Sequence, residues 1–136
     1  MDKQQQTFVD NTHTMTGVLK LAVDESAKQY EEVGAVQFSR NSGSPDRGIR
    51  RLMEPVWQAY HDWFVSIGVK SRGEAEHLWK SFEPNEDVQR CVRELLQAEE
   101  EYNAFTKKVD EEIQLHEDTG RTCTRVQWAY SLASRL

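Results

Sequence analysis

The sequence predicts an all-α protein, an elongated bundle of about four to five helices with coiled-coil-like packing around one long helix at about 85–118. Three observations predict it. Apolar residues recur at steps of three and four, which keeps them on one helical face. Strand-like alternation persists nowhere. Gly, Pro and Ser gather between the periodic stretches, as turn punctuation does.

The first 11 residues are polar, with three consecutive Gln, and read as a flexible tail. Residues 12–136 read as one helical-bundle domain, since 136 residues suit one domain of ordinary size. A first helix is predicted from about Thr12 to Phe38, with Met15, Val18, Leu19, Ala22, Val23, Ala27, Tyr30 and Val33 on its inner stripe. Gly17 and Gly34 weaken it by about 1 kcal/mol each relative to Ala.

Ser39 to Gly48 is rich in Ser, Gly, Asn and Pro and predicts the longest loop. Ser44, ahead of Pro45 and between arginines, is a candidate phosphorylation position there. Ile49 to Ile67 has the densest apolar pattern: Ile49, Leu52, Met53, Val56, Trp57, Tyr60, Phe64 and Ile67 share a face. Trp63 lies beside that stripe. Pro55 predicts a kink or a break, because proline lacks the N–H and its ring meets the preceding turn.

Gly68 to Gly73 reads as a turn, and Ser71 with Glu74 has capping-box spacing for a short helix through Phe82. Ala75, Leu78, Trp79 and Phe82 form its inner face. The long stretch from Asn85 to Asp118 follows, with Val88, Cys91, Val92, Leu95, Ala98, Tyr102, Phe105, Val109 and Ile113 in register. Pro84 and Gly120 mark its ends, and its length as a helix would be about 50 Å. Val88, Leu95, Tyr102, Val109 and His116 are seven apart, but Ala98 and Glu99 leave the centre of the seam soft. A last helix is predicted to line up Val126, Ala129, Tyr130, Leu132, Ala133 and Leu136.

The formal net charge is −6, unevenly spread. Asn85 to Asp118 holds four basic and eleven acidic residues, whereas Arg40 to Lys80 holds seven basic and five acidic. That balance disfavours nucleic acid and anionic membranes and favours a basic protein as partner. The two cysteines read as free thiols, the apolar runs never exceed three residues, and no signal-peptide core is evident at the start. The expected setting is cytoplasmic.

No catalytic constellation emerges. Glu74-Ala75-Glu76-His77 supplies one Glu-x-x-His spacing, but a di-metal bundle needs one from each of two helices. Positions 58 and 113, three before His61 and His116, are Gln and Ile. His13-Thr14-Met15-Thr16-Gly17 lacks the lysine and preceding helix of a phospho-accepting histidine site. No P-loop, nucleophile elbow, zinc spacing or EF-hand loop occurs. No catalytic role, metal or cofactor is expected.

The expected function is therefore a non-catalytic interaction module: an adaptor, a complex subunit or a self-associating domain such as a homodimer. Its candidate contacts are the acidic face at Glu99, Glu100 and Glu101 and the stripe-flanking aromatics Trp63, Trp79 and Trp128. One alternative is an acidic inhibitor or decoy that occupies a nucleic-acid-binding site on a target protein. A second is a curved membrane-binding dimer with Arg47, Arg50, Arg51, Lys70 and Arg72 toward lipid.

Overall fold

The computed structural model describes the backbone of residues 2–40, 45–114, 129–130 and 133–134, and the side chains of 2–28, 54–108, 111, 129–130 and 133–134. Among them are four helices and no strand: α1 (Lys3–Arg40), α2 (Pro45–Ile67), α3 (Arg72–Ser81) and α4 (Glu86–Gln114). The architecture is an all-α bundle.

The expected long helix is present as α4, and among the described residues α1 is longer still. α1 has 38 residues and α4 has 29, so α1 runs about 57 Å against about 43 Å. α1 packs along both α2 and α4, which makes it the spine. Gln5 meets Asn85 and His13 meets Glu94, so α1 and α4 run parallel. Trp63 meets Thr12, while residues Val65 to Gly68 lie beside Lys3 to Phe8, so α2 runs antiparallel to α1. The chain goes up, down and up, with α3 in the lower connection.

Residues 3–11, within the stretch expected to be a flexible tail, belong to α1. α1 starts at Lys3, and the Asp2 carboxylate accepts from the Gln5 N–H at 2.8 Å, an N-cap in the first turn. Phe8, Val9 and Thr12 are buried. Phe8, Thr12, Met15 and Leu19 extend the predicted stripe backwards at steps of four, three and four. Gln, unlike Gly or Pro, is a good helix former, so the Gln run does not fray the start.

α2 continues through Pro55 without a break. Pro55 is exposed, and the helix runs through it with one backbone hydrogen bond fewer, because proline has no N–H to donate. The predicted loop is shorter than Ser39–Gly48, because α1 extends to Arg40 and α2 opens on Pro45, a residue suited to a first helical position. Ser44 lies outside the described residues. Ser71 caps α3 as its spacing predicts: its hydroxyl accepts from the Glu74 N–H at 3.2 Å. The start of α4 is set by Asn85, whose side-chain oxygen accepts from the N–H groups of Asp87 and Val88 at 2.9 and 3.2 Å. Pro84 lies outside the helix. The far end expected near Asp118, and the predicted caps beyond it, lie outside the described residues.

At the base, Phe8 packs edge-on against Phe82 with ring centroids 5.7 Å apart and reaches Trp63 at 6.5 Å. Trp63 also meets Tyr60 and Phe64 at 6.1 and 5.7 Å. Above them Met15 and Leu19 of α1, Val56 of α2, and Cys91, Leu95, Ala98 and Tyr102 of α4 fill the interior. Burying such side chains contributes about 1.5–3 kcal/mol each, the dominant favourable term. Among the described residues no helix is long and apolar enough to cross a membrane.

Candidate functional site

Two places depart from an ordinary apolar interior. One is a polar junction where α2, α3 and α4 meet beside Tyr130. Glu99 is its centre. Its residue is only 6% exposed, because position 99 continues the run Val88, Val92, Leu95, Glu99, Tyr102 and Thr106 at steps of four and three. The Tyr60 hydroxyl donates a hydrogen bond to one Glu99 oxygen. Arg72 donates to both oxygens, from Nη2 at 2.9 Å and from Nε at 3.4 Å. Its Nη1 reaches Glu76 at 3.0 Å, and its guanidinium lies 4.6 Å above the Trp79 ring. Tyr130 packs edge-on against Tyr60 at 5.7 Å.

The electrostatics follow from that geometry. Burial, then the neighbouring Glu99 charge, holds the Tyr60 phenol well above the ordinary tyrosine range. Burial lowers the affinity of Arg72 for its proton, but the Glu99 hydrogen bonds and charge outweigh it and raise the value. The Tyr130 phenol is raised by burial, with Arg72 opposing and Glu99 and Glu76 adding. Every charge at the junction has a partner. A satisfied buried pair of this kind fixes geometry more than it adds stability.

The second place is the outer face of α4. Leu96 is 45% exposed. Arg93 and Glu100, three before and four after it, are exposed on the same face, with Gln97 and Glu101 beside them. Gln97 donates to Glu101 at 3.2 Å, which helps fix the acidic end.

These positions redistribute the residues singled out in the sequence. Glu100 and Glu101 are exposed, while Glu99 is withdrawn into the Arg72 pair, so the three do not form one acidic patch. Trp63 is not exposed: it is 2% accessible and donates its indole N–H to the Thr12 hydroxyl at 3.0 Å. Its side of α2 is covered by the start of α1, the part read as a tail. Trp79 is half-buried under Arg72. Trp128 lies outside the described residues. Arg72 is tied to Glu99 and Glu76 and is not a free cation for lipid. Trp57, on the predicted inner face of α2, is half-buried, and its indole N–H is buried with no acceptor among the described residues.

Sequence reasoning missed the Tyr60–Arg72–Glu99 junction, although the register of Glu99 within the α4 stripe was a usable signal. Nothing local marks Arg72 as its partner, 27 residues earlier. Among the described residues no three His, Cys, Asp or Glu side chains converge as a metal site would require. Cys91 is buried, and burial followed by the charges of Glu94 and Asp87 pushes its thiol up to about 12, which makes it a poor nucleophile. Comparisons with protein-family models, with curated proteins and with solved structures return no match for this chain.

Proposed function

We propose that this chain is a non-catalytic helical interaction module that offers the outer face of α4 to a partner protein. The observation that supports it best is Leu96, a large apolar side chain 45% exposed between Arg93 and Glu100. An apolar anchor within a charged rim is the usual make-up of a protein–protein contact. The helix that carries it is held rigidly from behind, since Val88, Cys91, Val92, Leu95, Ala98 and Tyr102 are all buried. A pre-ordered face loses less entropy on binding than a flexible one.

The partner's chemistry follows from α4 as a whole, in which acidic residues outnumber basic ones. Glu86, Asp87, Glu100 and Glu101 are exposed on α4, so a basic partner is favoured by charge complementarity. The intracellular setting is part of this reading, because Cys91 is a free thiol and free thiols persist where the medium is reducing.

The experiment is a pull-down from native cells with the full chain, alongside Leu96→Asp and Glu100→Lys. The expected result is one recovered protein that Leu96→Asp releases and whose capture weakens with Glu100→Lys and with salt. Recovery unaffected by Leu96→Asp, in a variant whose circular dichroism is unchanged, removes α4 as the contact face. Light scattering on the same samples shows whether the partner is a second copy of the chain.

A further inference from the structure

Beside the aromatic base, the start of α1, the end of α2 and one side of α3 enclose an open groove of about 460 Å³. Small residues leave it unfilled. Thr7 and Ser66 border it with short side chains, and Gly68, at φ +78°, carries the chain from α2 toward α3 with none. A side chain at Gly68 would meet nothing within 4 Å. The volume falls in the range of small-molecule sites.

The lining is divided by chemistry. Phe8, Ile67 and Leu78 supply apolar walls, and Val65, 67% exposed, forms the lip. The polar side belongs to α1, where Lys3 and Thr7 are four residues apart and share a face. Lys3 is the one charged residue of the lining. Among the described residues its ammonium has no ion pair and no hydrogen bond. The carboxylate of Asp2, its neighbour in sequence, is taken up by the Gln5 N–H at 2.8 Å.

That division decides the occupant. A neutral hydrocarbon leaves the ammonium unused, and a small inorganic anion leaves the apolar walls wet. An alkyl chain that ends in a carboxylate answers both. Its chain is withdrawn from water against the apolar walls, and its head meets a cation of opposite sign. No single amino-acid side chain combines the two, which favours a free amphiphile over a protein side chain.

We propose that this groove binds a medium-chain carboxylate, with its head at Lys3 and its chain along Val65, Ile67 and Leu78 over the edge of Phe8. The site shares no residue with the outer face of α4 and stands whether or not that face binds a partner. Because the groove is open, part of the chain stays in water, and the expected Kd is on the order of 0.1–1 mM.

The test is a titration of the full chain with decanoate below its micellar range, followed by NMR of the backbone amides. Saturable shifts are expected at residues 3–8, 65–69 and 78, with those around Leu96 unmoved. Lys3→Glu should weaken binding about threefold to tenfold, as expected when one exposed ion pair is lost and its sign reversed. Lys3 is exposed at the start of α1, where an acidic residue suits the helix, so this variant stays folded. Lys3→Arg should bind within about twofold of the parent, and decanol, with the same chain and no charge, should bind as weakly as decanoate does to Lys3→Glu. Leu96→Asp should leave the titration unchanged, so this proposal and the α4 reading fail separately. The absence of saturable shifts at about 5 mM decanoate overturns the proposal. Equal binding by the parent and Lys3→Glu, or of decanol and decanoate, overturns the recognition of the head. Capture of a protein that Val65→Asp releases, with no response to decanoate, gives the groove to a protein partner and overturns the proposal as well.

Discussion

The base of the bundle and the α2–α4 seam are built from opposite materials. At the base, Phe8, Trp63, Phe64 and Phe82 pack ring against ring, and the indole N–H of Trp63 is met by Thr12. At the seam, an Arg–Glu pair and a tyrosine hydroxyl replace that apolar contact. Apolar burial stabilises without demanding direction, whereas a buried ion pair contributes little net stability and demands one geometry. The difference teaches where stability and specificity reside. The base holds the chain folded, and the seam decides how α3 sits on it.

The largest effect expected from breaking that contrast is at the base. Phe8→Ala removes a side chain 1% exposed that touches two rings, and it should cost about 3–5 kcal/mol in urea unfolding. Removing residues 1–11 takes away Val9 as well and should cost more still. A loss below about 1 kcal/mol from Phe8→Ala would mean that the start of α1 is dispensable and the base is not the anchor.

At the seam the single and double variants should disagree. Arg72→Met leaves the Glu99 carboxylate buried without its cation and should cost about 2–4 kcal/mol. Arg72→Met with Glu99→Leu removes both charges and should return to within about 1 kcal/mol of the parent. Both side chains keep about a tenth of their surface exposed (11% and 8%), which places the single loss at the lower end for a buried pair. Additive losses in the double-mutant cycle would show that the two charges do not depend on each other.

This contrast also explains what was legible in the sequence. Helices announce themselves through local periodicity, and α3 could be read to its cap because Ser71 and Glu74 are three apart. The polarity of the first two turns of α1 suggests fraying, although Phe8 and Thr12 continue the Met15–Leu19 stripe. Composition groups Glu99 with Glu100 and Glu101, but helix register puts adjacent residues about 100° apart. One goes inward while its neighbours face water. The Arg72 partner was illegible for a different reason: a tertiary ion pair has no sequence spacing to betray it.

Tyr60 sharpens the comparison through pH. Its phenol is held above its unfolded value, so the stability it contributes is fully present below about pH 10 and is lost as pH rises toward the folded value. Cys91 acts in the same sense from about 9 to about 12. Tyr60→Phe should cost about 1–2 kcal/mol at neutral pH, because Glu99 loses a donor. Above pH 10 its urea midpoint should fall less steeply than that of the parent, while the Cys91 contribution remains. Coincident slopes for the two proteins would place the Tyr60 phenol in water, contrary to its contact with Glu99.

The smallest effects distinguish two helix caps of similar chemistry in the two regions. Asn85 caps α4 at the base, where its oxygen accepts two backbone N–H groups and its amide nitrogen donates to Gln5 on α1 at 2.9 Å. Ser71 caps α3 at the seam with one bond, at 3.2 Å and exposed to solvent. Asn85→Ala should therefore cost about 1–2 kcal/mol of global stability, and Ser71→Ala about 0.5 kcal/mol or less by the same measure. Ser71→Ala should nevertheless speed hydrogen exchange within α3, because a cap on a locally opening helix acts on that opening first. If Ser71→Ala lowers the urea midpoint as much as Asn85→Ala does, α3 unfolds only with the whole bundle, and the distinction between base and seam fails at this end of the scale.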